Sequence, residues 1–311
     1  MRDDTPSRTA AWVAAARQLG QLLPDDVRLV DDPYGAAFTS RWIASMIEQA
    51  IAGEGSQAPL DMTLRALRGP LAAMPGLQRW ILYMQVRTRV IDDAIRAFAA
   101  AGGAQLVLLG AGYDCRALRL PELAGARVFE IDHPATQGNK RGTLAQIGAA
   151  SPATYVTWDF EERPMEDLPE VLAEAGHDAA RPTFTVWEGV TMYLSELAID
   201  ASLRAIAEWS APGSQLAMTY FAKARLARPS LVTRAIRAVV ARAGEPWRFG
   251  WDPGELPGYL AERGLELVSD IALSDAAREL LPPRLAVHVY DPDRRVAVAH
   301  SNESIAVARR S

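Results

Sequence analysis

Cysteine occurs once, at Cys115, so no disulfide framework can form within the chain. Lysine occurs only at Lys140 and Lys223, the other positive charges are arginine, and the formal net charge is -5. That balance lacks the basic footprint that nucleic-acid binding by bulk electrostatics requires, so no nucleic-acid partner is expected. The four histidines, His133, His177, His288 and His300, are scattered without ligand spacing, which argues against a zinc site. No uninterrupted apolar run approaches the roughly 20 residues of a membrane span. The opening Met1-Arg-Asp-Asp-Thr-Pro has no apolar signal core behind it. A cytoplasmic protein without a membrane partner is the expectation. Repeats and low-complexity segments are also lacking.

What is present is a chain of 311 residues, 49% hydrophobic, enough for one large domain with appendages or two small ones. Its centre is Leu106-Val-Leu-Leu-Gly-Ala-Gly-Tyr-Asp-Cys-Arg-Ala-Leu-Arg119. A short apolar run suits a buried parallel strand, and Gly110 and Gly112 then break it. A strand followed by a glycine turn is how an open α/β sheet presents a nucleotide-like ligand at its carboxyl edge.

Before that centre the pattern is helical. Trp12, Ala15, Ala16, Leu19, Leu22 and Leu23 share one side of a helix from about Thr9. Asp32-Pro33-Tyr34 signals a turn into a second helix with Phe38, Trp42, Ile43 and Met46. Gly53-Glu-Gly-Ser56 and Gly69-Pro70 punctuate loops, and a long helix is expected from Leu77 to Ala100. Residues 1–103 are therefore expected to form an N-terminal helical cap on a sheet domain at 104–311.

After the centre, Ala126 to Asp132 is a second strand, Thr154 to Phe160 a third, Thr183 to Glu188 a fourth and Gly213 to Phe221 a fifth. Asp132, Asp159 and Glu188 stand at successive strand ends, and Glu196 to Ser210 is helical. Residues 222–250 break the rhythm and suit a lid insertion. A helix over Glu255 to Arg263 and strands at Gly264 to Asp270 and Ser304 to Arg309 follow. The fold class expected is α/β, a doubly wound, mostly parallel, seven-stranded Rossmann-like sheet.

A dinucleotide turn wants a third glycine, and Cys115 occupies that position, which demotes an NAD-dependent dehydrogenase. The acids on consecutive strands instead suit a cationic ligand with an amino group, a ribose and an adenine, as in S-adenosylmethionine. An acid after such a turn commonly accepts from ribose hydroxyls, which favours Asp132 over Glu130 inside its strand.

The ordered segments carry a resemblance. They are Thr9-Ala-Ala-Trp-Val-Ala-Ala-Ala-Arg17, Asp32-Pro-Tyr34, Arg87-Thr-Arg-Val-Ile-Asp92 and Leu109-Gly-Ala-Gly-Tyr-Asp-Cys-Arg-Ala-Leu-Arg119, then Phe129-Glu-Ile-Asp-His-Pro134 with Lys140-Arg141, and Glu188-Gly-Val-Thr-Met-Tyr-Leu194. From about Thr9 to Gly264 the chain resembles the leucine carboxyl methyltransferase family, a branch of class I S-adenosylmethionine-dependent methyltransferases. In particular it resembles the bacterial members of that family labelled either simply as methyltransferases or as polyketide O-methyltransferases. It departs at Tyr113, Cys115 and Thr191, where leucine, threonine and leucine are usual.

The resemblance implies that Arg87 pairs with the carboxylate of the cofactor's methionine part. It implies backbone contact from Gly110, Ala111 and Gly112, ribose at Asp132, the adenine amino group at Asp159 beside Phe160, and the methionine amino group at Glu188 near Tyr193. Asp114 and Arg116 suit a structural pair equally well. Trp42, Trp80, Trp247 and Trp251 are candidate aromatic walls, with core packing the more ordinary role for each. Methyl transfer is chiefly alignment and exclusion of water, and a carboxylate acceptor needs no base. O-methylation of a small natural product is therefore expected, with no catalytic residue assigned. A cofactor-binding scaffold or cyclase, and a protein C-terminal carboxyl methyltransferase, are the competing readings.

Overall fold

The computed structural model describes residues 6–21, 23–39, 77–227, 234, 237–238, 241, 246–289 and 303–311. The helix expected around Trp42, Ile43 and Met46, the loops at 53–56 and 69–70, and most of the 228–245 part of the expected lid lie outside them.

Among the described residues two α-helices, α1 (Arg8–Gly20) and α2 (Leu77–Ala100), precede the sheet. Ser7 starts α1 because its hydroxyl accepts the Ala10 N–H. The strands are β1 (Gln105–Leu109), β2 (Arg127–Asp132), β3 (Thr154–Thr157), β4 (Thr183–Trp187), β5 (Gln215–Phe221), β6 (Leu265–Ala272) and β7 (Glu303–Arg310). Between and after them run α3 (Pro134–Gln146), α4 (Leu168–Glu174), α5 (Glu196–Trp209), α6 (Leu256–Ala261), α7 (Leu273–Leu280) and α8 (Pro283–Val289).

The seven strands form one sheet in the order β3-β2-β1-β4-β5-β7-β6. β1 to β5 are parallel, and β7 inserts antiparallel to both β5 and β6. This is the doubly wound, mostly parallel sheet that the sequence predicts. β1 and β4 are buried along their whole length, which explains the apolar run Leu106 to Leu109 in β1.

Side chains alternate across the sheet with the period of two that a strand imposes. Leu106 and Leu108 join a core with Val128, Phe184, Val186 and Ala217, covered by α1, α2, α7 and α8. Val107 and Leu109 face the other way with Phe129, Ile131, Leu216 and Met218, covered by α4, α5 and α6. α2 is buried on every side from Ile81 to Thr88, so the N-terminal segment shares a core with the sheet. Its Gln85 side-chain oxygen accepts from the Leu29 and Val30 N–H groups, tying the chain after α1 to α2. Among the described residues no helix is long and apolar enough to cross a membrane.

Trp247 and Trp251 are buried, Trp251 in the core beside Tyr220, Phe249 and Tyr259. Core packing therefore describes these two. Trp80 stacks on Tyr83, and Trp42 lies outside the described residues.

Candidate functional site

Parallel strands gather their carboxyl ends on one edge, and the strand order reverses between β1 and β4, the position at which open α/β sheets bind their ligands. Gly110 closes β1 with φ of 72° and Gly112 follows at 51°, both in the left-handed region that glycine tolerates. A Cβ on Gly110 would stand 2.7 Å from Val190 Cγ2 in the loop after β4. One on Gly112 would stand 3.2 Å from Ala10 Cβ of α1. Between them the glycines let this turn pass beneath the β4 loop and against the N-terminal helix.

Asp132 ends β2 beside that turn. Its Oδ2 accepts the Gly112 N–H at 2.5 Å and its Oδ1 the His133 N–H at 2.7 Å. Burial pushes the Asp132 carboxyl up, against the pull of these two amides. Each oxygen keeps a lone pair for a further donor. Asp159 lies two residues past β3; its Oδ1 accepts the Glu161 N–H at 2.9 Å, and its Oδ2 stands 3.3 Å from His133 Nε2. Phe160 is half-buried against the core beside it.

Arg87 reaches the edge from the middle of α2. Its Nε donates to Glu188 Oε1 at 2.8 Å, and its Nη1 lies 3.5 Å from Glu303 Oε1 on β7. Glu188 Oε2 accepts from Arg116 Nη1 at 2.8 Å. Burial alone would raise the Glu188 carboxyl, but Arg116 and Arg87 outweigh it and hold it far below its ordinary range. Arg116, fully buried, also donates to Asp92 at 2.7 Å and to Asp114, while Asp92 takes two bonds from Arg119 at 2.6 and 2.9 Å.

The structure thus brings the sequence-predicted residues together in three groups. Gly110 and Ala111 donate to the Ile131 carbonyl and Gly112 to Asp132; Asp159 meets His133; Arg87 and Glu188 meet each other. Tyr193 closes the short turn Thr191–Tyr193 and packs beside Met192, Phe221 and Trp247. Asp114 and Arg116 pair with each other. Tyr113 stacks on Phe38 at 4.6 Å and donates to Asn139 at 2.7 Å, Cys115 is buried in the same cluster, and Thr191 is buried with its hydroxyl donating to the Thr219 carbonyl, so all three departures from the family pattern are packed side chains.

Sequence reasoning missed Arg17, Asp92 and Glu303. Arg17 donates to the Tyr113 carbonyl at 2.6 Å and pairs with Asp32 at 2.9 Å, linking α1 to the glycine turn. A charged residue among apolar neighbours on a buried helix face, such as Asp92 after Ile91, is the signal that finds such groups. Lys140 and Glu130, 2.5 Å apart, form a second buried pair.

The leucine carboxyl methyltransferase family model matches residues 10–207, more than half of the chain. A protein of Mycolicibacterium smegmatis, assigned as an S-adenosyl-L-methionine-dependent methyltransferase, is 34% identical over 271 residues, 83% of this chain and 81% of its own. A protein of Mycolicibacterium gilvum assigned likewise is 38% identical over 212 residues, 68% of this chain and 65% of its own length. Among solved structures, a protein of Thermobifida fusca assigned as a methyltransferase superposes with a TM-score of 0.52 at 21% identity, covering 86% of this chain and 94% of that one. That likeness concerns the fold. The glycine turn, the strand-end acids, the sheet order and these matches converge: the chain belongs to the leucine carboxyl methyltransferase family of S-adenosylmethionine-dependent methyltransferases.

Proposed function

We propose that the chain methylates an oxygen of a small molecule, preferentially a carboxylate, and that its cofactor lies across the carboxyl edge between β1 and β4. The donor set suits the cofactor on chemical grounds. Its methionine end is a zwitterion, and the Arg87–Glu188 pair offers a cation and an anion 2.8 Å apart, matching carboxylate and ammonium in turn. Gly110, Ala111 and Gly112 supply backbone without side-chain bulk at the two glycines. Asp132 receives the ribose hydroxyls on its remaining lone pairs. Asp159 accepts from the adenine amino group, and Phe160 offers a flat wall. Tyr193 borders the acceptor side. The N-terminal helices act as a cap, and the 222–250 segment acts as a lid.

When bound, S-adenosylmethionine supplies an electrophilic methyl on a sulfonium. The chain holds donor and acceptor in line, excludes water and keeps Glu188 ionised between its two arginines. One observation carries the preference for a carboxylate. The acids and the histidine described at this edge are all engaged: Asp132 by two amides, Glu188 by two guanidiniums, and His133 by a helix start and Asp159. An acceptor that is already ionised near pH 7 needs none of them as a base, whereas a phenol with a pKa near ~10 does.

The test is calorimetric titration with S-adenosylmethionine, S-adenosylhomocysteine and NAD, on wild type and Asp132→Ala, followed by an acceptor screen. Micromolar binding of the first two is expected, weakened about a hundredfold or more in the variant. Turnover of carboxylic acids should then vary little from pH 6 to 9. Binding of NAD alone, or turnover confined to phenols and rising with pH, would overturn the reading.

A further inference from the structure

Nothing in the proposed chemistry uses the His133 side chain, although it is buried and sits between the two acids that the cofactor's nucleoside would meet. Its backbone N–H donates to Asp132 Oδ1 at 2.7 Å. Its Nδ1 accepts the Ala135 N–H at 3.2 Å and so caps α3, which begins at Pro134. A neutral imidazole carries one ring proton, and with Nδ1 accepting, that proton sits on Nε2. Nε2 stands 3.3 Å from Asp159 Oδ2, whose partner oxygen is already held by the Glu161 N–H. One residue therefore bridges the end of β2 to the loop after β3, its main chain on one acid and its ring on the other.

We propose that His133 is a positioning residue that aims the Asp159 carboxylate and thereby sets the enzyme's discrimination for an adenine amino group. This rests on the reading of Asp159 as the acid that meets adenine. The ring's far edge, fixed to a helix start, holds the near edge still, as an outer group fixes a ligating side chain at a metal centre. A carboxylate with one oxygen on a backbone amide and the other 3.3 Å from Nε2 has less freedom to rotate, so its free lone pairs favour one direction. An adenine amino hydrogen satisfies that direction. A 6-oxo group in the same place sets an acceptor against an acceptor.

Two substitutions separate positioning from capping. His133→Asn puts an amide oxygen where Nδ1 was and keeps the cap, but is too short to reach Asp159. His133→Gln places an amide donor near the position of Nε2 and gives up the cap. Both keep the backbone N–H that holds Asp132. The readout is the ratio of dissociation constants for S-inosylhomocysteine and S-adenosylhomocysteine, measured by calorimetry alongside the thermal midpoint, with Asp159→Asn in parallel.

Wild type should prefer the adenosyl compound by about tenfold or more, the size of a hydrogen bond to a charged group. Asp159→Asn should abolish the preference. His133→Asn should cut it about threefold to tenfold with a midpoint near wild type, and His133→Gln should restore most of it at a lower midpoint. Full preference in His133→Asn, together with loss in Asp159→Asn, would overturn this proposal alone. Full preference in Asp159→Asn, or none in wild type, would overturn the adenine reading and this proposal with it.

Discussion

Removing the Arg116 guanidinium leaves Asp92, Asp114 and Glu188 to share Arg87 and Arg119 inside a buried layer of the protein. Deleting one partner of a buried charge cluster strands the others, at a cost of about 3–5 kcal/mol. Arg116→Ala should therefore lose about that much in urea unfolding. Arg204→Ala, which removes an exposed pair with Asp200, should lose far less, because solvent screens such a pair. Equal losses would show that the buried network is not what stabilises this edge. Asp132 and Asp159 were legible because each follows an apolar run that a strand alone explains. The joining of Arg87 to Glu188 was not, since they lie 101 residues apart and only the folded sheet reveals that they meet. Glu303 was hidden for a further reason: an antiparallel strand brings its first residue, not its last, to the ligand edge.

The elements themselves were mostly readable. The long helix matches its expected bounds at Leu77–Ala100, and each strand start was found within about two residues. α7 and α8 were not singled out, because Pro282 and Pro283 cut the stretch into pieces too short to show a helical period. α3 carries an inefficiency that the structure exposes. Gly138 and Gly142 sit inside it, and an added Cβ at either would meet no neighbour within 4 Å. Glycine costs a helix interior about 0.5–1 kcal/mol relative to alanine. Gly138→Ala and Gly142→Ala should each raise unfolding free energy by about that amount, measured by denaturant titration. Gly110→Ala, at φ of 72° and against Val190, should lower it. A loss at Gly138 would mean that its open face is covered by something the described residues do not include.

Across the whole molecule, acid and base pull stability in opposite senses. The Glu188 and Asp114 carboxyls are held below their ordinary values, so their contribution is complete above about pH 4 and fades as pH falls through the folded values. Glu303 is the reverse. Burial pushes its carboxyl well above the ordinary value, so the folded chain grips that proton more tightly than the unfolded one. Stability is then lost as pH rises from about 4.3 through the folded value. Glu303→Gln lacks that loss. Wild-type stability minus variant stability should fall as pH is raised from 4 to 7 in urea titrations, and a flat difference would show that Arg87 neutralises Glu303 fully.

The placement of β7 also governs when the enzyme can exist. Among the described residues β6 pairs in the sheet with β7 alone, and β7 follows the other six strands in the sequence. A nascent chain emerging from the ribosome can pair β1 to β5 as each becomes available, but β6 must wait unpaired until residues 303–310 have been made. The slot beside β5 stays open for the same interval, and Arg87 lacks its Glu303 neighbour. An antiparallel strand is then inserted between two that preceded it, a long-range closure of the kind that slows folding.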